Sequence, residues 1–460
     1  MKTFKISLFA LIIFTGFFCT KDNAPEILEV RSVVGDYYVS PSGDDSNPGT
    51  DSLPWRTIQK AAITVAVGKI VVIRSGSYDE YVTISNGGTD ENNRIIFFSE
   101  TLHGARCRGF KIQGGYVTID GFDVEAVGST NWVGIRVTGA SFVDVLNCFV
   151  HECPTGGINI GGARDVRVVD NIIEHNGQWG INLIGSNGLI EGNEISRTVQ
   201  HHPKGHEPGF SGADADGMRI FGDNHIIRGN IVKDIGDPSD NGNIDPHVDC
   251  IQTWDGYTNS QPLMTNTIIE GNFFSVKHKT GKGIVIDANR GNACHHLMIR
   301  NNVFEFSDIG IGAYTGEFHD IFVYNNVFKA TIGESSWGTS VSFKNVINYA
   351  LLNNITVDCH PEHRHIEGGT GVVDYNLAWN SDGSTHSMLP ALQANELDGI
   401  NPQFVTYTGN HGENNYHLSK SSPAINTALT LEDVLNDFDG ITRPQGTGYD
   451  RGAFEYHDDK

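Results

Sequence analysis

Short apolar runs with alternating polar positions recur along the chain, and three of them carry a charged residue in the same place. The segments DADGMRI (214–220), HVDCIQT (247–253) and TGKGIVI (280–286) each have a polar residue, then glycine or cysteine, then alternating apolar residues. The same frame occurs upstream, where Gly134 and Gly157 are 23 residues apart. A fixed period this short is typical of a repeat architecture. The pattern therefore predicts stacked copies of one strand-rich unit.

A second marker recurs at a constant position in the same repeats. The marker residues are Cys148, Asn171, Asn193, Asn230, Asn272, Asn302, Asn326 and Asn354. Apolar runs of period two, broken by Gly and Asn, predict short strands joined by turns. The helical patterns that separate parallel strands in a doubly wound fold do not occur between them. We therefore predict an all-β right-handed parallel β-helix with an asparagine hydrogen-bond ladder at one turn.

The repeats divide the chain into four parts. An apolar run followed by Cys19 is typical of a signal peptide with a lipobox cysteine. A helical pattern at 57–67 predicts a capping helix at the open N-terminal end of the solenoid. The predicted parts are the signal peptide at 1–19, a tether at 20–35, the β-helix with its N-terminal cap at 36–374, and an irregular C-terminal cap packed on the helix at 375–460.

The net charge of -23 narrows the range of partners. A nucleic-acid partner needs a basic surface, so the sequence predicts none. An anionic substrate would need a local basic patch that acts against the overall field. The apolar run before Cys19 is too short to span a bilayer. We expect an exported monomer, either an outer-membrane lipoprotein held only by a lipid on Cys19 or a secreted or periplasmic protein. The other six cysteines show no even spacing and are predicted to pack in the core.

Two insertions mark where chemistry is expected. In the coils without insertions, the next aligned glycine lies nine positions after the marker residue. The distance grows to 24 residues from Asn193 to Gly217 and to 20 residues from Asn230 to Cys250. Both loops leave the same corner of successive coils, and long loops on a rigid scaffold commonly carry function.

Beside these loops, the alignment places Asp216, Asp249 and Lys282 in one column. Adjacent strands lie about 4.8 Å apart, so the two carboxylates would repel unless a cation or a shared proton intervenes. Calcium, which takes oxygen ligands, is one solution and Lys282 is another. A structural row of salt bridges is the alternative explanation. The candidate calcium ligands are Asp214, Asp216 and Asp249.

Further candidates surround the column. Arg219 and Gln252 follow on the outward face, and Lys279 and Arg290 belong to a local concentration of positive charge. The histidine-rich segment 201–207 offers ligands that suit zinc, although histidines of a substrate groove are an alternative. The candidate catalytic residues are Lys282, His247, Arg219, Asp216 and Asp249. The candidate substrate-binding residues are Gln252, Trp254, Lys279, Arg290 and His202.

Both ends of the repeat region carry distinctive segments. These are YYVSPSGDDSNPGT and PWRTIQKAA near the start, and NPQFV, SPAIN and DRGAFEY near the end. Together with the asparagine-marked coils, they resemble exported bacterial β-helix proteins of the pectate-lyase-like superfamily. The resemblance covers nearly the whole chain after the signal segment. That superfamily includes lyases, glycoside hydrolases, uronan epimerases and non-catalytic members, so the activity must be argued from the site.

The charged column resembles the site motifs of two branches of that superfamily. In calcium-dependent pectate lyases of the β-helix type, acidic motifs hold the metal, and Asp216 and Asp249 match them. In polygalacturonases the corresponding order matches Asp216, then Asp249 with Cys250, then Lys282 in place of a histidine. Val248 stands where either branch would have a further acid. At position 248 the chain therefore lacks a carboxylate that the lyases would use as a metal ligand and the hydrolases as the water-activating partner.

The column and the resemblance together predict a polysaccharide lyase that cleaves an acidic, uronate-containing glycan by β-elimination. In this hypothesis the acids bind calcium, Arg219 assists, and Lys282 or His247 removes the proton next to the substrate's carboxylate. A polygalacturonase-like glycoside hydrolase is an alternative, although two carboxylates this close favour a retaining spacing. Two further alternatives remain. One is a uronan C5-epimerase, suggested by a short match of IDPH at 244–247, and the other is a non-catalytic glycan-binding solenoid.

Overall fold

The chain winds into a right-handed parallel β-helix, as predicted from the repeats. Its coils stack their strands into three faces. The computed structural model of the protein describes residues 30–126, 132–205, 214–236, 246–255, 262–288, 293–314, 316–331 and 338–458. The predicted signal peptide with Cys19 and much of the tether lie outside the described residues. Among the described residues, no helix is both long and apolar enough to cross a lipid bilayer.

Within the described residues the strands of the coils form two large sheets, and the back face is a parallel sheet of 13 strands. Its strands are Tyr37–Val39, Ile70–Ile73, Ile95–Ser99, Val117–Asp120, Val143–Leu146, Arg167–Val169, Leu189–Glu191, Ile226–Arg228, Thr267–Glu270, Ala293–Arg300, Glu317–Tyr324, Ile347–Leu352 and Thr370–Asp374.

The other two faces are joined into one sheet of 24 strands. The side face contains Asp123–Glu125, Phe149–His151, Ile172–Glu174, Glu194–Ser196, Ile231–Lys233, Phe273–Ser275, Val303–Phe306, Val327–Ala330, Ile355–Val357, Leu377–Trp379 and Leu397–Asp398. The front face contains Gly76–Ile84, Ala105–Ile112, Val133–Thr138, Gly156–Arg164, Trp179–Ser186, Asp216–Asp223, Asp249–Trp254, Met264–Thr265, Lys282–Asp287, Ile309–Ala313, Thr339–Lys344, Glu362–Glu367 and Ser387–Leu389.

A short helix, Ile58–Thr64, covers the N-terminal end of the stack. The hydroxyl of Thr57 accepts a hydrogen bond from the Lys60 backbone N–H, so Thr57 is the N-cap. The Gln59 side chain both donates to and accepts from the backbone of Thr83 in the first front strand. These bonds satisfy a strand edge that would otherwise be open. The predicted capping helix is confirmed, and a single 3-10 turn, Glu91–Asn93, follows it in the chain.

The interior is filled by stacked apolar side chains, one layer per coil. One inner column is formed by the residues that follow the aligned glycines and Cys250, and all of its members are fully buried: Ile135, Ile158, Ile181, Met218, Ile251 and Ile284. Aromatic rings continue the stack towards the C-terminal end, where Phe304 and Phe328 lie face to face with ring centroids 4.8 Å apart. The six described cysteines are all buried and free, as the spacing predicted.

The asparagine ladder forms at the corner between the back and side faces. Each ladder side chain accepts a hydrogen bond through Oδ1 from the preceding rung, so that Asn193 N donates to Asn230 and Asn230 N donates to Asn272. The same bonds run from Cys148 to Asn354, and Asn376 adds one rung beyond those predicted. The ladder satisfies buried backbone groups at a corner where no strand partner reaches them.

The last part of the chain runs back along the side face. Parallel pairing continues past residue 374 to Leu397–Asp398, which pairs with Leu377–Trp379. Two antiparallel strands, Phe404–Thr406 and Asn415–Leu418, follow. Apolar side chains from this segment form a second core against the side strands, with Phe404, Tyr416, Leu418 and Phe454 packed on Val327, Ile355 and Leu377. The C-terminal segment therefore covers the outward surface of the side face in the later coils, from Phe273 to Leu377.

Candidate functional site

The strands place the predicted column on the front face. Trp179 pairs with Asp216, and Asp249 pairs with Lys282 in parallel register. The pairing of Met218 with Ile251 sets Asp216 level with Asp249. Each of these residues begins its strand, so three successive coils bring the two acids and the amine together. The prediction that they are neighbours is confirmed geometrically.

A second column lies two residues earlier on the same face. Asp214 forms an isolated parallel bridge with His247, and the hydroxyl of Thr280 contacts the carbonyl of Pro246 in the neighbouring coil. Side chains two residues apart on a strand point to the same side. Asp214 therefore joins Asp216, and His247 joins Asp249, so the site has two residues from each coil.

Arg219 organises the first pair of acids. Its Nε donates to Asp216 Oδ2 at 2.7 Å, and its Nη2 donates to Asp214 Oδ2 at 2.9 Å. The guanidinium carbon lies 4.9 Å from the ring centroid of Trp179 and 5.5 Å from that of Trp254. Phe221 meets Trp254 edge to face. Arg219 is thus held from the sides by aromatic rings and at its head by two carboxylates, which fixes its position.

Asp249 and His247 organise the second half of the site. Asp249 is fully buried, yet neither of its carboxylate oxygens receives a well-aligned hydrogen bond from the described residues. His247 Nδ1 lies 3.1 Å from Asp249 Oδ2, a close but poorly aligned contact. Gln252 Nε2 lies 3.5 Å from the same nitrogen. A buried carboxylate of this kind needs a cation, and His247 is the nearest described one.

Lys282 lies on the other side of the imidazole. Its Nζ is 3.3 Å from His247 Nε2, 3.9 Å from Asp249 Oδ1 and 3.6 Å from Asp308 Oδ2. The Lys282 side chain is nearly buried, whereas that of His247 is 40 % exposed. The imidazole therefore stands between solvent and the buried part of the cluster.

Burial and charge shift two of these groups in the same direction. Burial raises the pKa of the Asp216 carboxyl, and the neighbouring Asp214 and Asp249 add to the effect while Arg219 opposes it. The close contact with the Asp249 carboxylate and its charge raise the pKa of His247 to about 9, against the opposing effects of burial and Lys282. At neutral pH His247 is therefore an imidazolium.

The acids have the donor chemistry that a hard cation requires. Ligand atoms of Asp216, His247 and Asp249 lie within 4.8 Å of one another. The two Asp249 oxygens are the ones that lack aligned donors. Asp214 and Asp216, by contrast, already hold Arg219. Three carboxylates fit calcium, but the ion would share them with Arg219 and His247.

The other predicted substrate-binding residues do not all lie at this site. Gln252 and Trp254 lie on the front strand of Asp249 and contact His247 and Arg219, as described above. Lys279 is exposed in the turn that precedes Lys282. Arg290 lies outside the described residues. So do most of the second insertion and the part of the first that contains His206.

His202 belongs to a different cluster, at the corner between the side and front faces. Its Nε2 lies 3.4 Å from Glu152 Oε2, and its ring packs against that of His175. Its Nδ1 accepts a hydrogen bond from the Lys204 backbone N–H, so Nε2 carries the proton of the neutral ring. Burial lowers the pKa of His202 to about 4, and His175 adds to the effect. Ligand atoms of Glu152, His175 and His202 lie within 4.8 Å of one another, so His202 belongs to a second group of residues that could hold a metal ion.

Asp308 is a member of the site that the sequence argument missed. It immediately precedes the front strand Ile309–Ala313, and Gly310 lies directly above Gly283 in the stack. Extending the glycine alignment by one coil, to SDIGIGA, would have brought Asp308 beside Lys282. Ile309 aligns with Lys282 and is uncharged, so a search for charged residues in the column does not find the neighbouring Asp308.

Comparisons with known proteins agree with this fold. A model of the Pel9A-like right-handed β-helix region matches residues 37–177. The uncharacterized protein YwoF of Bacillus subtilis is 38% identical over 81 residues, which are 15% of this chain and 17% of that protein. Pectate lyase L of Paenibacillus polymyxa is 27% identical over 141 residues, 28% of this chain and 30% of the lyase. The matches span less than a third of either relative.

Among solved structures, pectate lyase Pel9A is similar over 92% of this chain and 96% of its own, with 15% identity and a TM-score of 0.43. The coil architecture, the family model and the matched pectate lyase segment support a right-handed parallel β-helix of the pectate-lyase-like superfamily. The predicted superfamily is confirmed.

Proposed function

We propose that the protein is a polysaccharide lyase that cleaves an acidic, uronate-containing glycan by β-elimination. The observation that carries the proposal is the 3.3 Å contact between Lys282 Nζ and His247 Nε2, two basic groups beside buried carboxylates. Similarity of one segment to pectate lyase L supports the reaction class and an acidic polymer as substrate.

The Lys282 and His247 pair supplies the base. Elimination needs a neutral nitrogen that removes the proton from the sugar carbon next to the carboxylate. The electron pair of that C–H bond forms a carbon–carbon double bond, and the glycosidic C–O bond breaks. The leaving oxygen then takes a proton. Because the two nitrogens are in contact, a proton taken by one can pass to the other.

Positive charge beside the base makes the substrate proton more acidic. Arg219, fixed between Trp179 and Trp254, and the protonated partner of the base pair belong to the same cluster on the front face, joined by the bridge of Asp214 with His247. A substrate carboxylate bound there would be partly neutralised. Calcium held by Asp214, Asp216 and Asp249 would add to this neutralisation when bound. Export from the cell, as proposed from the N-terminal sequence, would give the enzyme access to a polymer.

The geometry favours elimination over hydrolysis by a carboxylate pair. Asp216 is fully buried, and its Oδ2 is occupied by Arg219. Its Oδ1 accepts from the backbone N–H of Asp249 at 3.3 Å. A nucleophilic or proton-donating carboxylate must reach the sugar, and Asp216 is poorly placed to do so.

A screen of the purified protein on pectic, algal and glycosaminoglycan polymers tests the proposal. We expect ultraviolet-absorbing, unsaturated products from one acidic polymer. Lys282→Met should lower the rate by at least about 100-fold, the lower range for a lost general base. Lys233→Met, which removes a surface lysine from the side face, is the matched control and should leave the rate unchanged. New reducing ends without absorbance would contradict the lyase.

Chelation tests the proposed calcium in the same assay. Removal of divalent ions should abolish turnover, and added calcium should restore it, if Asp249 holds an ion that neutralises the substrate. Binding of calcium to the protein alone should appear in calorimetry and be lost in Asp249→Asn. Full activity in excess chelator would remove calcium from the mechanism and leave Arg219 and the base pair as the only source of positive charge.

A further inference from the structure

Four consecutive front strands on the N-terminal side of the site carry no acidic residue. They are Ala105–Ile112, Val133–Thr138, Gly156–Arg164 and Trp179–Ser186. Lys and Arg occur five times in these strands, although acidic residues outnumber basic ones by 55 to 32 in the whole chain. Arg106, Arg108 and Arg164 have acidic partners in neighbouring segments. The positive charge that opposes the negative field of the protein along this stretch therefore comes from Lys111 and Arg136.

One row of outward-facing side chains crosses these strands. Successive parallel pairs join Lys111 to Arg136, Arg136 to Asn159, Asn159 to Asn182, and Asn182 to Arg219. With strands about 4.8 Å apart, the row extends about 19 Å from Lys111 to Arg219. It therefore leads directly into the site, and we call these five residues the cationic row.

The cationic row has no counterpart on the other side of the site. After Gln252, the next residues in register are Val285, Gly312 and Ser342. None of these side chains is charged. Along this one register, the front face is thus cationic and polar towards the N-terminal end and uncharged for three coils towards the C-terminal end.

Lys111 is the clearest member of the row because of what lies near it. None of the ion pairs between described residues includes it, whereas Arg108 in the same strand pairs with Asp79. The Asn182 side chain donates to Asn159 at 2.8 Å, which aligns the two amides between the cations. Lys111 and Arg136 are both half-buried. Their charges therefore lie on a formed surface and not at the end of a loop.

We propose that the cationic row binds the carboxylates of an extended anionic polymer on one side of the bond to be cleaved. Successive acidic sugars would lie along the row from Arg219 towards Lys111, and the units on the C-terminal side could be neutral. This inference rests on the proposed function, since it takes the polymer to be acidic. It adds the direction in which the chain lies and the requirement for length on that side.

Binding to acidic and neutral polymers tests the proposal. The probes are polygalacturonate and alginate, with dextran as the neutral polymer, in affinity gel electrophoresis. Lys111→Gln and Arg136→Gln should each weaken the retention by the acidic polymer about two- to fivefold, as for single exposed charge contacts. Added salt should reduce the difference. Lys344→Gln, a lysine of the front face beyond the site, is the matched control and should have no effect.

Kinetic measurements distinguish substrate binding by the cationic row from a purely structural role of its residues. In the double variant Lys111→Gln with Arg136→Gln, the KM for a decamer should rise while kcat and the KM for a trimer stay unchanged. Equal losses in the Lys344→Gln control, or equal losses for trimer and decamer, would overturn the proposal. If no polymer is cleaved but the acidic polymers are still retained through Lys111 and Arg136, the cationic row stands and the lyase fails.

Discussion

His247 connects the charged groups of the site because both of its ring nitrogens face them. Nδ1 lies against Asp249, whose buried charge stabilises the imidazolium, and Nε2 lies against Lys282. Raising the pKa of His247 to about 9 keeps the ring protonated at neutral pH. Only the unprotonated ring can accept a proton, either from the substrate or from the Lys282 ammonium. The contact with Asp249 that holds the ring in place therefore also keeps it protonated, so that His247 acts as a base only at higher pH.

The rate should rise with pH through about 9, because the base form of His247 accumulates above its raised pKa. In Asp249→Asn the pKa of the His247 ring should fall towards the ordinary value of histidine, since the stabilising charge is gone. Titration of the His247 ring by NMR checks the same shift without relying on activity. A wild-type ring that titrates near its ordinary value would contradict the electrostatic role of Asp249.

Among the elements, the asparagine ladder fixes the corner on which the coils stack. The Asn230 amide donates to the carbonyl of Ile190 at 2.9 Å and to the Oδ1 of Asn272 at 2.9 Å. Its own Oδ1 accepts from the backbone and the side chain of Asn193. Both insertions start in the coils marked by Asn193 and Asn230, so the ladder also supports the place where the loops leave the scaffold.

Replacing Asn230 by Ala should destabilise the protein by at least about 2 kcal/mol, because several buried backbone and side-chain groups lose their partners. Asn92→Ala, at an exposed position in the 3-10 turn, is the matched control and should change stability by less than about 0.5 kcal/mol. Thermal unfolding followed by circular dichroism compares the two. Equal midpoints for both variants would show that the ladder contributes little.

At the scale of the whole molecule, the features that repeat were predictable from the sequence. The Asp216, Asp249 and Lys282 column and the asparagine ladder depend only on the register between coils, which the glycine and asparagine spacing sets. Asp308 and the position of the C-terminal segment were not predictable in the same way. Asp308 departs by one residue from the repeated frame, and the C-terminal segment is placed by apolar contacts with the side face.

The masses of the reaction products test the central claim most directly. Elimination adds no water, so the two fragments of a cleaved oligouronate should together have the mass of the substrate, and one of them should carry the double bond. Hydrolysis would add one water to that sum. We predict the first result for the wild-type protein and no cleavage for Lys282→Met; a sum that includes the extra water would contradict elimination by the Lys282 and His247 pair.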